Sequence, residues 1–405
     1  MNILMLHNSY RIRGGEDESF ECEVRMLRDA GHFVDTIHIN NSELEKIGKV
    51  QVALQSIWSG PSYELVDRKL RERHFEILHV QNFFPLLSPS VYSAARKHGV
   101  AVVQTLRNYR LLCPNGLLFR DGHICEDCMG KVFKYPGIIH GCYRGRMATA
   151  AVATMTALHT VKGTWVDAVD LYITLTKFAQ QKFIQAGFPP EKVVVKSNFV
   201  YPDPGCGDGR GGYALFVGRL SSEKGLEILL AAWRLVQRKW SLKIIGEGPL
   251  SGRVQEFCRQ HPDVEWLGAR PNSEVKKFMG AASVLVFPSE WYETFGRVTI
   301  ESFATGTPVI ASRLGAMAEI GDEVDAGMLF QAGHPEDLAE KLRWIVDNPA
   351  RLDSMRQAAR QAYEKKYTVH ENCRILIRAY ELAFERMSGR SSCELAVKAQ
   401  PLRNT

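Results

Sequence analysis

Short apolar runs alternate with amphipathic stretches along almost the whole chain, and that alternation predicts parallel sheets wrapped by helices. In the first half, strands are expected at 3–7, 33–39, 77–80, 101–105 and 171–174. Helical periodicity fills 16–30, closed by Gly31, and 90–97, closed by Gly99. The pattern then restarts, with strands at 213–217, 242–245, 264–267, 284–287 and 309–311. Helices are expected between them at 226–237, 251–260, 272–279 and 298–304, then at 335–348, 350–365 and 369–387.

A chain of 405 residues is too long for one ordinary core, so two domains are expected. Residues 201–212, dense in Pro and Gly, read as a linker between a first domain at 1–200 and a second at 213–368. The helix at 369–387 follows, and the polar tail at 388–405, which lacks periodicity, is expected to be disordered. Two doubly wound domains face each other across a cleft, and in such sheets ligands sit beyond the carboxyl ends of the strands.

Hydrophobic content of 45% and charged content of 24% are those of a soluble globular protein. The apolar start Met1–His7, without a basic lead or a cleavage site, reads as a buried strand rather than a signal peptide. That makes the cytoplasm the expected compartment, with the nine cysteines reduced. A net charge of +6 permits contact with anionic lipid head groups. Nucleic acid is not an expected partner, since the chain carries no motif for it and no dense Lys/Arg run.

Candidate chemistry concentrates in the second domain. Gly218, Arg219 and Lys224 lie where a strand gives way to a helix, and two cations so placed can reach one diphosphate, helped by the helix dipole. Taken alone, such a pair is more often ordinary surface charge. Downstream, Glu293 precedes Phe295 and Gly296, whose backbone N–H groups at a helix start can meet a ligand oxygen. Glu301 follows a little over two helical turns on, flanked by Val298, Ile300 and Phe303. Glu293 suits sugar hydroxyls and Glu301 suits ribose hydroxyls.

The ordered set Gly218-Arg-Leu…Glu-Lys-Gly225, Ile245-Gly246-Glu-Gly-Pro249, Glu293 to Glu301 and Ala304-Thr-Gly-Thr-Pro-Val-Ile-Ala311 resembles glycosyltransferase family 4. The resemblance extends to about Met387. It implies a retaining enzyme of the two-Rossmann GT-B architecture, whose final helix crosses back onto the first, acceptor-side domain. It further implies a nucleoside-diphosphate sugar as donor and a glycan or lipid-linked acceptor in surface polysaccharide synthesis. Arg219 and Lys224 would hold the diphosphate, Glu293 the transferred sugar and Glu301 the ribose. Gly14, Gly15, Gly218, Gly246, Phe295, Gly296 and Val298 would line the donor. No Asp-x-Asp motif is present, which fits catalysis without a required metal.

The chain departs from this family in the first domain. Arg107 stands where a histidine is common near the reacting sugar, and Gln81 replaces a second histidine in His79-Val-Gln81-Asn82. Arginine stabilises negative charge but does not shuttle protons. Arg107 is thus a catalytic candidate, and also the feature favouring a rival reading, a catalytically silent GT-B binding or scaffold protein.

Two further features remain. Cys113, Cys125, Cys128 and Cys142, with His123 and His140 nearby, form a cysteine-rich insertion at 113–142 that matches the ligand count of a structural zinc site. Reduced cysteines packed as small apolar side chains are the alternative. Arg144 and Arg146 open a helix of small apolar residues running to His159, suited either to an anionic membrane surface or to packing inside the domain.

Overall fold

A computed structural model of the chain describes residues 1–10 and 14–398. The first domain opens with β1 (Asn2–Ser9), α1 (Gly15–Asp29) and β2 (Phe33–Asn40). Two helices follow, α2 (Lys49–Ile57) and α3 (Gly60–Glu72), then β3 (Ile77–Asn82), α4 (Ser90–Lys97) and β4 (Ala101–Thr105). An insertion holds a small hairpin, β5 (Phe119–Arg120) and β6 (His123–Ile124), then α5 (Tyr135–His140) and α6 (Arg146–Val161). The domain closes with β7 (Leu171–Thr174), α7 (Lys177–Gln185) and β8 (Val193–Val195). Its sheet runs β2-β1-β3-β4-β7-β8, every pair parallel.

Strands of a parallel sheet are buried on both faces, which is why they read as unbroken apolar runs. Along β1, Leu4 and Leu6 pack to one side with Val80 and Val102, while Ile3 and Met5 pack to the other. That second side is covered by α1 and by a helix from the far end of the chain.

The second domain comprises β9 (Tyr213–Val217), α8 (Leu226–Val236), β10 (Ser241–Ile245), α9 (Ser251–Gln260), β11 (Val264–Trp266) and α10 (Asn272–Ala281). It continues with β12 (Val284–Phe287), α11 (Arg297–Ala304), β13 (Val309–Ser312), α12 (Gly315–Glu323), β14 (Gly327–Phe330), α13 (Pro335–Asp347) and α14 (Pro349–Lys366). The order β11-β10-β9-β12-β13-β14, again parallel, places β9 where the winding reverses. In the first sheet β1 holds the same position. Crevices open beyond the carboxyl ends of strands at such points, and the loops after β1 and β9 carry Gly14 and Gly218.

The final helix, α15 (Val369–Lys398), returns to the first domain, where Leu376, Ala379, Tyr380 and Ala383 join Ile3 and Met5. It runs past Met387, so residues 388–398 are helical rather than disordered; the rest of the expected tail, 399–405, lies outside the described residues. The Pro/Gly-rich connection does not hang free. The Gly207, Gly209 and Gly211 N–H groups donate to Thr305, Gly280 and Ala281 of the second domain, and Asp203 pairs with Arg360 at 2.6 Å. No helix among the described residues is long and apolar enough to cross a membrane.

Candidate functional site

After β9 the chain turns through Gly218 and the exposed Arg219 into a short 3-10 turn ending at Lys224. Gly225 holds φ +67°, and a Cβ there would lie 1.7 Å from the Pro288 carbonyl. Only glycine lets this loop press against the one after β12. The contact delivers Lys224 Nζ to Glu293, where it donates to Oε1 at 2.6 Å. Ser289 Oγ and Trp291 Nε1 donate to the same oxygen at 2.7 and 2.9 Å. Three donors thus orient a carboxylate that is only 5% exposed. Arg219 has no carboxylate partner among the described residues and remains open to a ligand. Gly246, after β10, backs onto the Gly218 carbonyl, so the two loops meet backbone to backbone.

Gly296 caps the start of α11. The Phe295 ring belongs to the core, 6.1 Å from that of Tyr367, which leaves only its backbone for the expected donor contact, and Val298 packs partly against the same core. Glu301 is buried and accepts from Arg297 Nε at 2.8 Å. Burial raises the Glu301 carboxyl above its ordinary pKa, and Arg297 opposes that rise. The same guanidinium crosses to the first domain. Its Nη1 donates to Ser19 Oγ at 2.9 Å, and its Nη2 lies 3.1 Å from Glu18 Oε1. Asn272 Nδ2 also reaches Glu18. Gly15 sits against the Arg297 side chain, and Gly14, which donates its N–H to Asp17 at 2.8 Å, is exposed beside it at the start of α1.

Thr294 Oγ1 donates to the Arg107 carbonyl at 2.9 Å, joining the Glu293 loop to the end of β4. The Arg107 side chain turns the other way. Its Nε donates to Gln81 Oε1 at 2.6 Å and its Nη1 to Asn198 Oδ1 at 2.9 Å, with Nη2 3.4 Å from Glu23. Lys196 Nζ completes the cluster on Glu23 at 2.7 Å. Burial works to raise the Glu23 carboxyl, but Lys196 and Arg107 hold it at about 2. His79, bonded to Tyr380 of α15 and to Thr105, is lowered by burial to about 3 and is neutral. The structure therefore brings Arg107 to the cleft through its backbone, with its charge spent inside the first domain. A cavity beside it is lined by Asn82, Phe84, Thr105, Asn108 and Arg110.

Sequence reasoning missed Glu18, Ser19, Glu23, Lys196, Asn272 and Arg297. Glu18, Ser19, Glu23, Lys196 and Asn272 carry no local signal, because each acquires its role from a partner far away along the chain; Arg297 carries one, its four-residue spacing to Glu301.

The zinc expectation is not met. Among the described residues no three His, Cys, Asp or Glu side chains stand together as a metal-holding group. Cys113 is buried with its Sγ donating to Asn115 Oδ1 at 3.0 Å, and the Cys128 Sγ is directed at the Lys134 carbonyl. Burial, then the neighbouring Cys113, pushes the Cys128 thiol up to about 11. His123 faces the Asp121 carbonyl instead of a cysteine.

Residues 208–362 match the family model of glycosyl transferases group 1. An uncharacterised glycosyltransferase of Methanocaldococcus jannaschii is 32% identical over 158 residues, 38% of this chain and 44% of that protein. For that relative and for another from the same organism, the match spans less than half of the relative's own length. An uncharacterised 42.6 kDa protein in the cps region of Klebsiella pneumoniae is 25% identical over 79% of this chain and 87% of its own. Among solved structures, Anabaena HepE in complex with UDP-glucose superposes with a TM-score of 0.66 at 16% identity, covering 96% of this chain and all of that one. The fold is GT-B: two Rossmann-like domains with facing parallel sheets.

Proposed function

We propose that the chain is a retaining glycosyltransferase that moves a sugar from a nucleoside-diphosphate sugar to a glycan or lipid-linked acceptor. The observation that carries this reading is the Glu293 carboxylate, fixed by Lys224, Ser289 and Trp291 beside the exposed Arg219. The group 1 match over the second domain supports it, as does the UDP-glucose bound to HepE.

On this reading the donor diphosphate lies against Arg219, Lys224 and the helix start after Gly225. These groups stabilise the charge that grows on the leaving diphosphate, work a divalent ion does elsewhere. When the diphosphate draws Lys224 away, Glu293 loses one donor and can accept from sugar hydroxyls instead. Glu301 accepts from the ribose once Arg297 yields to the nucleotide. Gly14 and Gly15 let the start of α1 approach the phosphates from the opposite domain, so closure completes the site. The acceptor enters beside Asn82 and Asn108.

The buried Arg107 guanidinium favours a second reading, a donor-binding protein without turnover, since the position past β4 where the resemblance expects a histidine holds an arginine bonded to Gln81 and Asn198. Transfer assays with UDP-, GDP- and ADP-sugars separate the two, with thermal-shift measurement of nucleotide binding in parallel. Turnover abolished by Glu293→Ala supports the transferase. Tight nucleotide binding with no turnover on any donor overturns it.

A further inference from the structure

Eleven of the fourteen large apolar side chains exposed among the described residues fall between Val50 and Val166. They form stripes. On α2, Val50 and Leu54 lie one turn apart along one edge, and Trp58 stands exposed just past the end of the helix. On α6, Val152, Met155 and His159 face inward, while Met147, Leu158 and Val161 stand outside, Met147 at 86% exposure. Phe133 and Ile139, before and within α5, are also exposed.

These surfaces are contiguous. Helix α6 packs against both α2 and α5. His159 Nε2 meets the Ile57 carbonyl at 2.9 Å, and Lys162 Nζ lies 6.0 Å over the Trp58 ring, so the stripes end side by side.

The charge is as uneven as the hydrophobicity. The chain holds 45 Asp and Glu in 405 residues, one in nine, yet residues 129–166 contain none, and neither do residues 46–63. Lys49, Arg144, Arg146 and Lys162 are exposed along the same elements. A second copy of the chain fits this face poorly, because a two-fold contact would set cations against cations. An anionic plane that accepts apolar side chains beneath its charged layer fits both properties at once. Tryptophan settles at such interfaces, and long basic side chains reach the head groups from among apolar neighbours.

We propose that α2, α5 and α6 form a docking face for an anionic lipid bilayer, with Trp58, Met147 and Val161 in the interfacial layer and Arg144, Arg146 and Lys162 on the head groups. The face adjoins the acceptor-side cavity. Tyr143, just before α6, packs 5.7 Å from the Phe84 ring and 4.8 Å from the Arg110 guanidinium, both cavity-lining residues. Docking would therefore bring a lipid-linked acceptor to that cavity. This purpose rests on the transferase reading, but bilayer binding is measured without turnover, so either can fail alone.

The test is co-sedimentation of the full chain with phosphatidylcholine vesicles, with and without phosphatidylglycerol, at low and high salt. The expected result is pelleting only with phosphatidylglycerol, reversed by salt. Arg144→Gln with Arg146→Gln should weaken it by on the order of tenfold, and Trp58→Ser with Met147→Gln should weaken it at all salt concentrations. All four side chains are partly or fully exposed, so an unchanged melting temperature certifies the fold. No pelleting overturns the proposal, as does equal pelleting with neutral vesicles. Self-association in sedimentation velocity, abolished by the same variants, overturns it in favour of a second copy.

Discussion

Arg297 donates through Nε to Glu301 at 2.8 Å, and this guanidinium is also the hand that the second domain extends to Glu18 and Ser19 of the first. On the proposed reading, the carboxylate that would meet the ribose is therefore occupied by a residue that itself joins the domains, and donor binding and domain closure would be coupled through that one side chain.

Glu18→Gln tests that coupling without leaving Glu301 unpaired. Losing a partly exposed charge pair should cost the closed arrangement about 1 kcal/mol, roughly a fivefold shift toward open forms. Small-angle scattering of the free protein should show a larger radius of gyration, and saturating nucleotide should restore the compact value.

Glu293→Gln keeps the size and two of the hydrogen bonds but removes the charge that faces Lys224. Turnover should fall by about a hundredfold to a thousandfold with little change in melting temperature. Ser289→Ala removes one of three donors and should cost roughly 1 kcal/mol in activation free energy. An active-site role for Glu293 fails if both variants retain full kcat.

Stability should decline as pH falls below about 6.5. His79 is neutral when folded, lowered by burial to about 3, whereas in the unfolded chain it protonates near 6.5. Between those values the unfolded state binds more protons, so acid favours unfolding, by up to about 1.4 kcal/mol per pH unit. Glu23, held at about 2 against an ordinary 4.5, adds to the loss below pH 4.5. Urea midpoints recorded across this range should fall less steeply between pH 6.5 and 4.5 in His79→Gln than in the wild type, the remaining slope coming from His32, His38 and His159, which burial also lowers.

Two glycines expected at the donor should respond differently to alanine. Gly246 has φ +141°, and a Cβ there would sit 1.9 Å from the Gly218 carbonyl, so Gly246→Ala should lower the melting temperature as well as nucleotide affinity. Gly14 has φ −139°, and a methyl group there would meet nothing within 4 Å. Gly14→Ala should leave the melting temperature unchanged and weaken nucleotide binding alone. Unaltered nucleotide affinity in that variant would remove Gly14 from the site.

Local pattern determined much of this protein. Ten strands were visible as runs, the central ones because strands buried on both faces are apolar throughout and the edge strands β2 and β11 despite polar, partly exposed positions, and the loops bearing Gly218, Lys224 and Glu293 follow directly from where those runs end. Shorter strands escaped: β8 has three residues and β14 begins with Gly327, too little for a run to register. Helices α2 and α3 escaped too, because α2 spends its apolar residues on an exposed stripe instead of a core. What only the tertiary structure decided is the direction of side chains. Arg107 was legible as a residue just past β4, in place of an expected histidine, but Glu23 and Asn198, 84 and 91 residues away, turn its charge inward. Glu301 was legible as a polar group on an apolar helix, while its partner's reach to Glu18 depends on how two domains meet. Periodicity records which face of an element is buried; it does not record which distant charges meet there, and those meetings set where a buried charge comes to rest.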